Sequence, residues 1–130
     1  ASVKEHEFLA KVKERGEYAD QNEARAVTAS VLGVLGERLA GNEPRDLAAQ
    51  LPAGIGKMVT ANGDAPESFG VEEFLRRIAD AVGGSTETVT WDASAVLCTV
   101  AEAVTGGQLN QILSQLQPGY ASLFGKPELA

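Results

Sequence analysis

The chain is poor in the side chains that carry most chemistry in small domains: it has one histidine, His6, and one cysteine, Cys98. His6 lies between Glu5 and Glu7 on the polar side of an amphipathic stretch, without the positioned partner that a general base requires. Cys98 stands among Val96, Leu97, Thr99 and Val100, where a thiol packs as a small hydrophobe; a nucleophile would need a base beside it and a lowered pKa. One His and one Cys do not assemble a zinc site of ordinary composition within one chain. No catalytic residue, metal ligand or cofactor is therefore assigned. Gly33, Gly36, Gly41 and the Gly54-x-Gly56 pair lack phosphate-loop spacing. Arg76-Arg77, Arg38 and Arg45 are too scattered for a nucleic-acid stripe and are expected to pair with Glu on solvated helix faces.

Two sets of residues merit positions in space. Glu37 and Glu102 occupy equivalent places in an internal repeat, so a twofold relation would bring the two carboxylates to a ligand, a cation or a basic residue; the plain reading is two solvent-facing helix residues. Trp91 and Tyr120, with Arg76 and Arg77, are the candidates for an interaction surface, because aromatics bring large contact area at low ordering cost. The competing use of Trp91, and the favoured one, is to fill core space that Ala26 leaves empty in the other copy.

The elements that must carry these residues follow from that repeat. Val71-Glu72-Glu73-Phe74-Leu75 rereads Glu5-His6-Glu7-Phe8-Leu9 at an offset of 66. At an offset of 65, Val31, Leu32, Leu35, Glu37, Gly41, Leu47, Gln50, Leu51 and Gly54 meet Val96, Leu97, Val100, Glu102, Gly106, Ile112, Gln115, Leu116 and Gly119. Apolar residues recur at helical spacing with glycines at the same breaks, which predicts an all-α fold: a compact helical pseudo-repeat of two units of about four helices each, sharing one core. The chain reads as a single domain, 1–130, with repeats 3–59 and 69–124 joined by a turn-rich linker, 60–70, since a unit of about 65 residues alone would be marginal.

Helices are expected from Val3 to about Arg15, from the Asp20 cap to about Ala40, over Glu43–Gln50 behind an Asn42 cap, and after Pro52. The second unit repeats them over Val71–Val82, Thr86–Thr105 behind a Ser85 cap, Gln108–Leu116 and Pro118–Phe124. Gly16 and Gly106-Gly107 are read as breaks. Thr88-Val89-Thr90-Trp91 alone would suggest a strand, but an isolated strand has no partner, and the repeat takes precedence.

Apolar residues make up 44% and charged residues 22% of the chain, the proportions of an ordinary globular protein. The net charge of −7 is uneven, residues 66–130 carrying three Lys/Arg against eight Asp/Glu; this disfavours a nucleic-acid partner and suits a basic one. No run is long and apolar enough for a membrane span, and the lone Cys98 forms no internal disulfide, so a cytoplasmic setting is expected.

The Glu-Phe-Leu helix, the Val31–Leu39 phrase, Asp46-Leu47-Ala48-Ala49-Gln50-Leu51-Pro52 and the returning Phe74-Leu75-Arg76-Arg77-Ile78 resemble the bacterial domain of unknown function family 2267, from about His6 to Phe124. In the second half the family's Gln-Leu-Pro phrase reads Gln115-Leu116-Gln117-Pro118, moving the proline by one. The resemblance implies an all-helical fold and a bacterial source, and supplies no catalytic residue. The functional expectation is a noncatalytic interaction or structural module that binds another protein or a second copy of itself through an apolar patch on the sixth to eighth helices. A small-molecule regulatory domain using the groove between repeats is the alternative, and an enzyme comes third.

Overall fold

The structure is a computed structural model that describes residues 4–61, 68–83, 86–116 and 118–125. Among them the regular structure is entirely helical: α1 (Glu5–Gly16), α2 (Gln21–Arg38), α3 (Glu43–Gln50), α4 (Ala53–Thr60), α5 (Val71–Val82), α6 (Thr86–Ala103), α7 (Gly106–Gln115) and a closing 3-10 helix (Pro118–Phe124). The Ser85 cap, the centre of the linker and the ends of the chain lie outside the described residues.

The two long helices form the centre. Phe8, Leu9 and Val12 place one stripe of α1 in the core, whereas α2 buries residues around most of its circumference, from Ala24 and Val27 through Val31, Leu32, Val34 and Leu35. A helix apolar on nearly all sides needs neighbours on all sides, and α2 has them in α1, α4, α5 and α6. α6 in turn packs on α1, α2, α5 and the 3-10 helix. Thr28 and Thr99 are buried in these two helices and donate their hydroxyls to the carbonyls of Ala24 and Ala95, at 2.7 and 2.8 Å, so neither costs an unmade hydrogen bond. The strand-like Thr88–Trp91 run is helical within α6, because its Val89 and the following Ala93, Val96 and Leu97 all reach the core at helical spacing.

Several helix ends differ from the sequence expectation. Gly16 is not the break: it is the last residue of α1, and the left-handed position falls on Glu17, at φ 56°. Glycine at 16 leaves room for the ring of Tyr18, which occupies the place a Cβ would take. Asp20 does cap α2, accepting from Glu23 N at 2.9 Å, while Glu23 reaches back to Ala19 N at 2.8 Å. Asn42 does not cap α3; its backbone is already helical and its Oδ1 accepts from Arg45. Gly106-Gly107 open α7 instead of closing α6, because Thr105 Oγ1 accepts from Gln108 N at 3.1 Å and starts a new helix two residues early.

Candidate functional site

The matched carboxylates stand in separate ion-pair clusters. Glu37, on α2, meets Arg77 of α5 at 3.1 Å, and Glu102, on α6, meets Lys11 at 3.4 Å and Arg15 of α1. Arg15 first, and then Lys11, hold the Glu102 carboxyl below its ordinary value. A carboxylate pinned in the charged form by adjacent cations, as Glu102 is, suits ion pairing better than proton transfer. Glu5, the first residue of α1, pairs with Arg25.

Arg76 and Arg77 are engaged rather than presented. Arg76 binds Glu73 at 2.6 Å and Asp80 at 2.9 Å; Arg77 binds Glu73 at 2.8 Å and lies 4.1 Å above the Phe69 ring. The two guanidiniums, Arg76 ahead of Arg77, hold the Glu73 carboxyl down at about 2. Beside them runs an open groove of about 790 Å³ between α2 and α5, floored by Ala29, Ser30 and Val34.

Tyr120 is not a surface residue: it is fully buried, donating its hydroxyl to Phe69 O at 2.7 Å with its ring edge-on to Phe74 at 5.1 Å. Arg38, expected on a solvated face, is also buried. Its Nε donates to Phe69 O and its Nη2 to Gln115 O, both at 2.9 Å, with the guanidinium 5.7 Å from the Tyr120 ring. Gln115 ends α7, and a terminal helical carbonyl has no partner in its own helix, so a cation there answers both the open acceptor and the negative end of the dipole. The available signal was an arginine set between the buried Leu35 and Leu39.

The apolar patch expected over the sixth to eighth helices reduces to one residue. Leu109, Ile112, Leu113, Leu116, Leu123 and Phe124 all face inward, and the large hydrophobic side chain left exposed among the described residues is Trp91, at 52%. Trp91 therefore does not fill the core. Its Nε1 donates to Gly16 O at 3.0 Å, a carbonyl left open by the end of α1. Next to it Tyr18 packs over Gly16 and donates its hydroxyl to Asp92 Oδ1 at 2.6 Å. Four residues, Gly16, Tyr18, Trp91 and Asp92, thus make a fixed corner where α1 ends and α6 begins. Tyr18 also borders a shallow groove of about 410 Å³ with Ala10, Lys13, Glu14, Glu17 and Gln21.

His6 is exposed, and Cys98 is half-buried with its thiol facing Leu123 O at 3.6 Å; burial pushes that thiol up, away from the reactive thiolate. No group of three metal-ligating side chains converges among the described residues, and no described helix is long and apolar enough to cross a membrane.

Burial first, and then the Asp92 carboxylate, push the Tyr18 phenol well above its ordinary value, with Glu23 adding to the effect. The protonated phenol is thus favoured in the folded state. Its contribution is complete below pH 10, the usual tyrosine value, and is lost as pH rises beyond it. Tyr120 shifts in the same direction, again chiefly by burial, with Arg38 opposing. Urea midpoints at pH 9 and pH 11 are expected to fall for the natural chain and to fall less for Tyr18→Phe, which keeps only Tyr120 as a titrating phenol. Equal losses in the two proteins would show that the Tyr18–Asp92 bond adds nothing to stability.

Among the described residues, fold and surface define an all-helical chain in which several charged side chains are tied into ion pairs and the large exposed hydrophobic is the indole of Trp91. The chain belongs to the family described as uncharacterized conserved protein (DUF2267), whose model matches residues 5–123. No curated protein matches the chain significantly.

Proposed function

We propose that this domain is a noncatalytic protein-interaction module, built as a two-unit helical pseudo-repeat, that engages a partner protein through the corner around Trp91. The observation that carries the reading is the state of the indole: half exposed, yet held in one orientation by Gly16 O. A large aromatic offers much contact area, and one already held by a hydrogen bond loses little side-chain freedom on binding.

The pseudo-repeat is supported by contacts that exchange between the halves. Gln50 Oε1 accepts from Thr105 N at 2.9 Å, and at an offset of 65 Gln115 Oε1 accepts from Ala40 N at 3.0 Å. The Lys11–Glu102 and Arg77–Glu37 bridges are likewise related, by 66 and 65 positions. Each half ties down the other, as expected if units too small to be stable alone share a core. A bacterial, cytoplasmic setting belongs to the same reading, supported by the resemblance of the helical phrases and by the unpaired Cys98.

Native crosslinking is expected to capture a protein with the natural chain, and Trp91→Ala should weaken that capture by about thirtyfold, as removal of an anchor worth about 2 kcal/mol would. Helicity and melting should change little. A second copy of the chain is one admissible partner, readable by sedimentation. Capture that is indifferent to Trp91 rejects the corner. The α2–α5 groove favours a second reading, a small-molecule regulatory site, because Ala29 and Ser30 leave room beside charged walls; a metabolite that raises the melting temperature of the natural chain, and not of a variant with Ala29→Leu, would support it.

A further inference from the structure

An indole has a single hydrogen-bond donor and no acceptor. At Trp91 that donor is already used on Gly16 O, so what the exposed half of the ring still offers is its π face and its apolar edge. Two partner chemistries fit such a surface: an aliphatic side chain, or a cation attracted to the negative face of the ring.

The surrounding charge separates them. Asp92 follows Trp91 directly and holds the Tyr18 hydroxyl at 2.6 Å. Glu17 follows Gly16, is exposed, and sits at the left-handed turn that ends α1; with Glu14 it borders the groove beside Tyr18. Lys13 is the cation in that groove, while Arg15 is turned to Thr99 and Glu102 on α6. The corner therefore joins an oriented π face, with Asp92 next to it in the chain, through Tyr18 to a groove bordered by Glu14 and Glu17, on a chain of net charge −7. A purely aliphatic partner would leave those carboxylates unanswered, and an acidic one would be repelled.

We propose that the Trp91 corner takes a basic protein segment, with an arginine or lysine side chain laid on the indole and its charge met by Glu14, Glu17 and Asp92. This rests on the interaction-module reading and specifies the chemistry of the partner. An arginine suits the site better than a lysine, because its planar guanidinium stacks on an aromatic face and is more weakly hydrated. Charge steering by the carboxylates would hasten encounter, and the indole would slow release.

Trp91 is the single tryptophan in the chain, so its emission reports on this site alone. The test titrates the full protein with capped hexa-arginine, hexa-glutamate and hexa-glutamine peptides, following tryptophan emission, and then measures fluorescein-labelled hexa-arginine by anisotropy against Trp91→Ala, Trp91→Leu and the Glu14→Gln/Glu17→Gln pair. The expected result is a saturable emission change with hexa-arginine alone. Affinity should fall roughly five- to thirtyfold in both Trp91 variants, the factor that a cation–π contact of about 1–2 kcal/mol represents. The Gln pair, on exposed positions that do not threaten folding, should weaken binding several-fold and flatten its salt dependence.

Hexa-arginine affinity unchanged in Trp91→Ala and Trp91→Leu would mean charge attraction alone and would overturn the proposal, as would hexa-glutamine binding as well as hexa-arginine. If Trp91→Ala loses its helicity, Trp91→Leu and the natural chain's emission still decide. Absence of any emission change, alongside a captured partner whose binding needs Trp91, would reject the basic segment while leaving the interaction module standing.

Discussion

Replacing Leu35 by alanine is expected to destabilise the protein by about 2–5 kcal/mol, the range for large-to-small changes in a close-packed core. Leu35 has no exposed surface and lies in the last turn of α2, a helix that contacts α1, α4, α5 and α6. A void at that point cannot be closed by one neighbour without pulling it from the others, so the cost should fall in the upper half of the range. Domains of this size are stable by about 5–15 kcal/mol, so the change removes a large share of the total. Urea denaturation followed by circular dichroism checks it, with exposed Gln111→Ala as a surface control expected within about 0.5 kcal/mol of the natural chain. A Leu35→Ala midpoint close to that of the control would mean that α2 is not the centre of the core.

The second large effect is one of sign. Gly36 lies inside α2, where alanine is ordinarily the better residue by about 1 kcal/mol. Here a Cβ would run into the carbonyl oxygen of Val59, in the last turn of α4. Backbone cannot rotate out of the way as a flexible side chain can, so α4 would have to move as a body. Gly36→Ala is expected to destabilise by about 1–3 kcal/mol or more, as overpacking does. Gly107→Ala, which meets nothing within 4 Å in the first turn of α7, should be neutral or stabilising by up to about 1 kcal/mol. The two variants measured side by side separate helix propensity from helix approach. A stabilised Gly36→Ala would show that α2 and α4 do not touch there.

Gly56 makes the same argument on the facing helix, where a Cβ would lie 2.6 Å from Ala48 O of α3. By propensity alone a glycine such as Gly56 weakens the helix that holds it. At Gly36 and Gly56 packing reverses that effect. They let short helices approach closely enough to bury Ile55 and Val59. Periodicity registers the missing side chain but not the neighbour that occupies its place.

Helical class, element order and most of the core were written in local pattern. Apolar residues at three- and four-residue spacing specify which face of a helix avoids water whatever the neighbours are, and Phe8, Leu9, Val12, Phe74 and Ile78 are buried as that spacing requires. Asp20 and Gly83 end their helices as their side chains, or lack of one, dictate locally. Glu43–Gln50 and Val71–Val82 have the expected bounds for the same reason.

The fates of the three residues that matter most to a binding role were decided by packing. Tyr120 and Trp91 have equal claims to exposure as residue types. Tyr120 is buried because Phe69 O needs a donor and Phe74 offers an edge, both supplied by segments more than forty residues away. Trp91 is left outside because its one donor is taken at the rim by Gly16 O, which holds the ring on the surface instead of letting it enter the core. Arg38 is drawn inward by two carbonyls from Phe69 and Gln115, acceptors that exist only once α7 and the segment before α5 have docked on the end of α2. Hydrophobic pattern is carried by neighbours along the chain, whereas a hydrogen-bond partner is a position in space; the first can be read residue by residue, and the second comes into being with the fold.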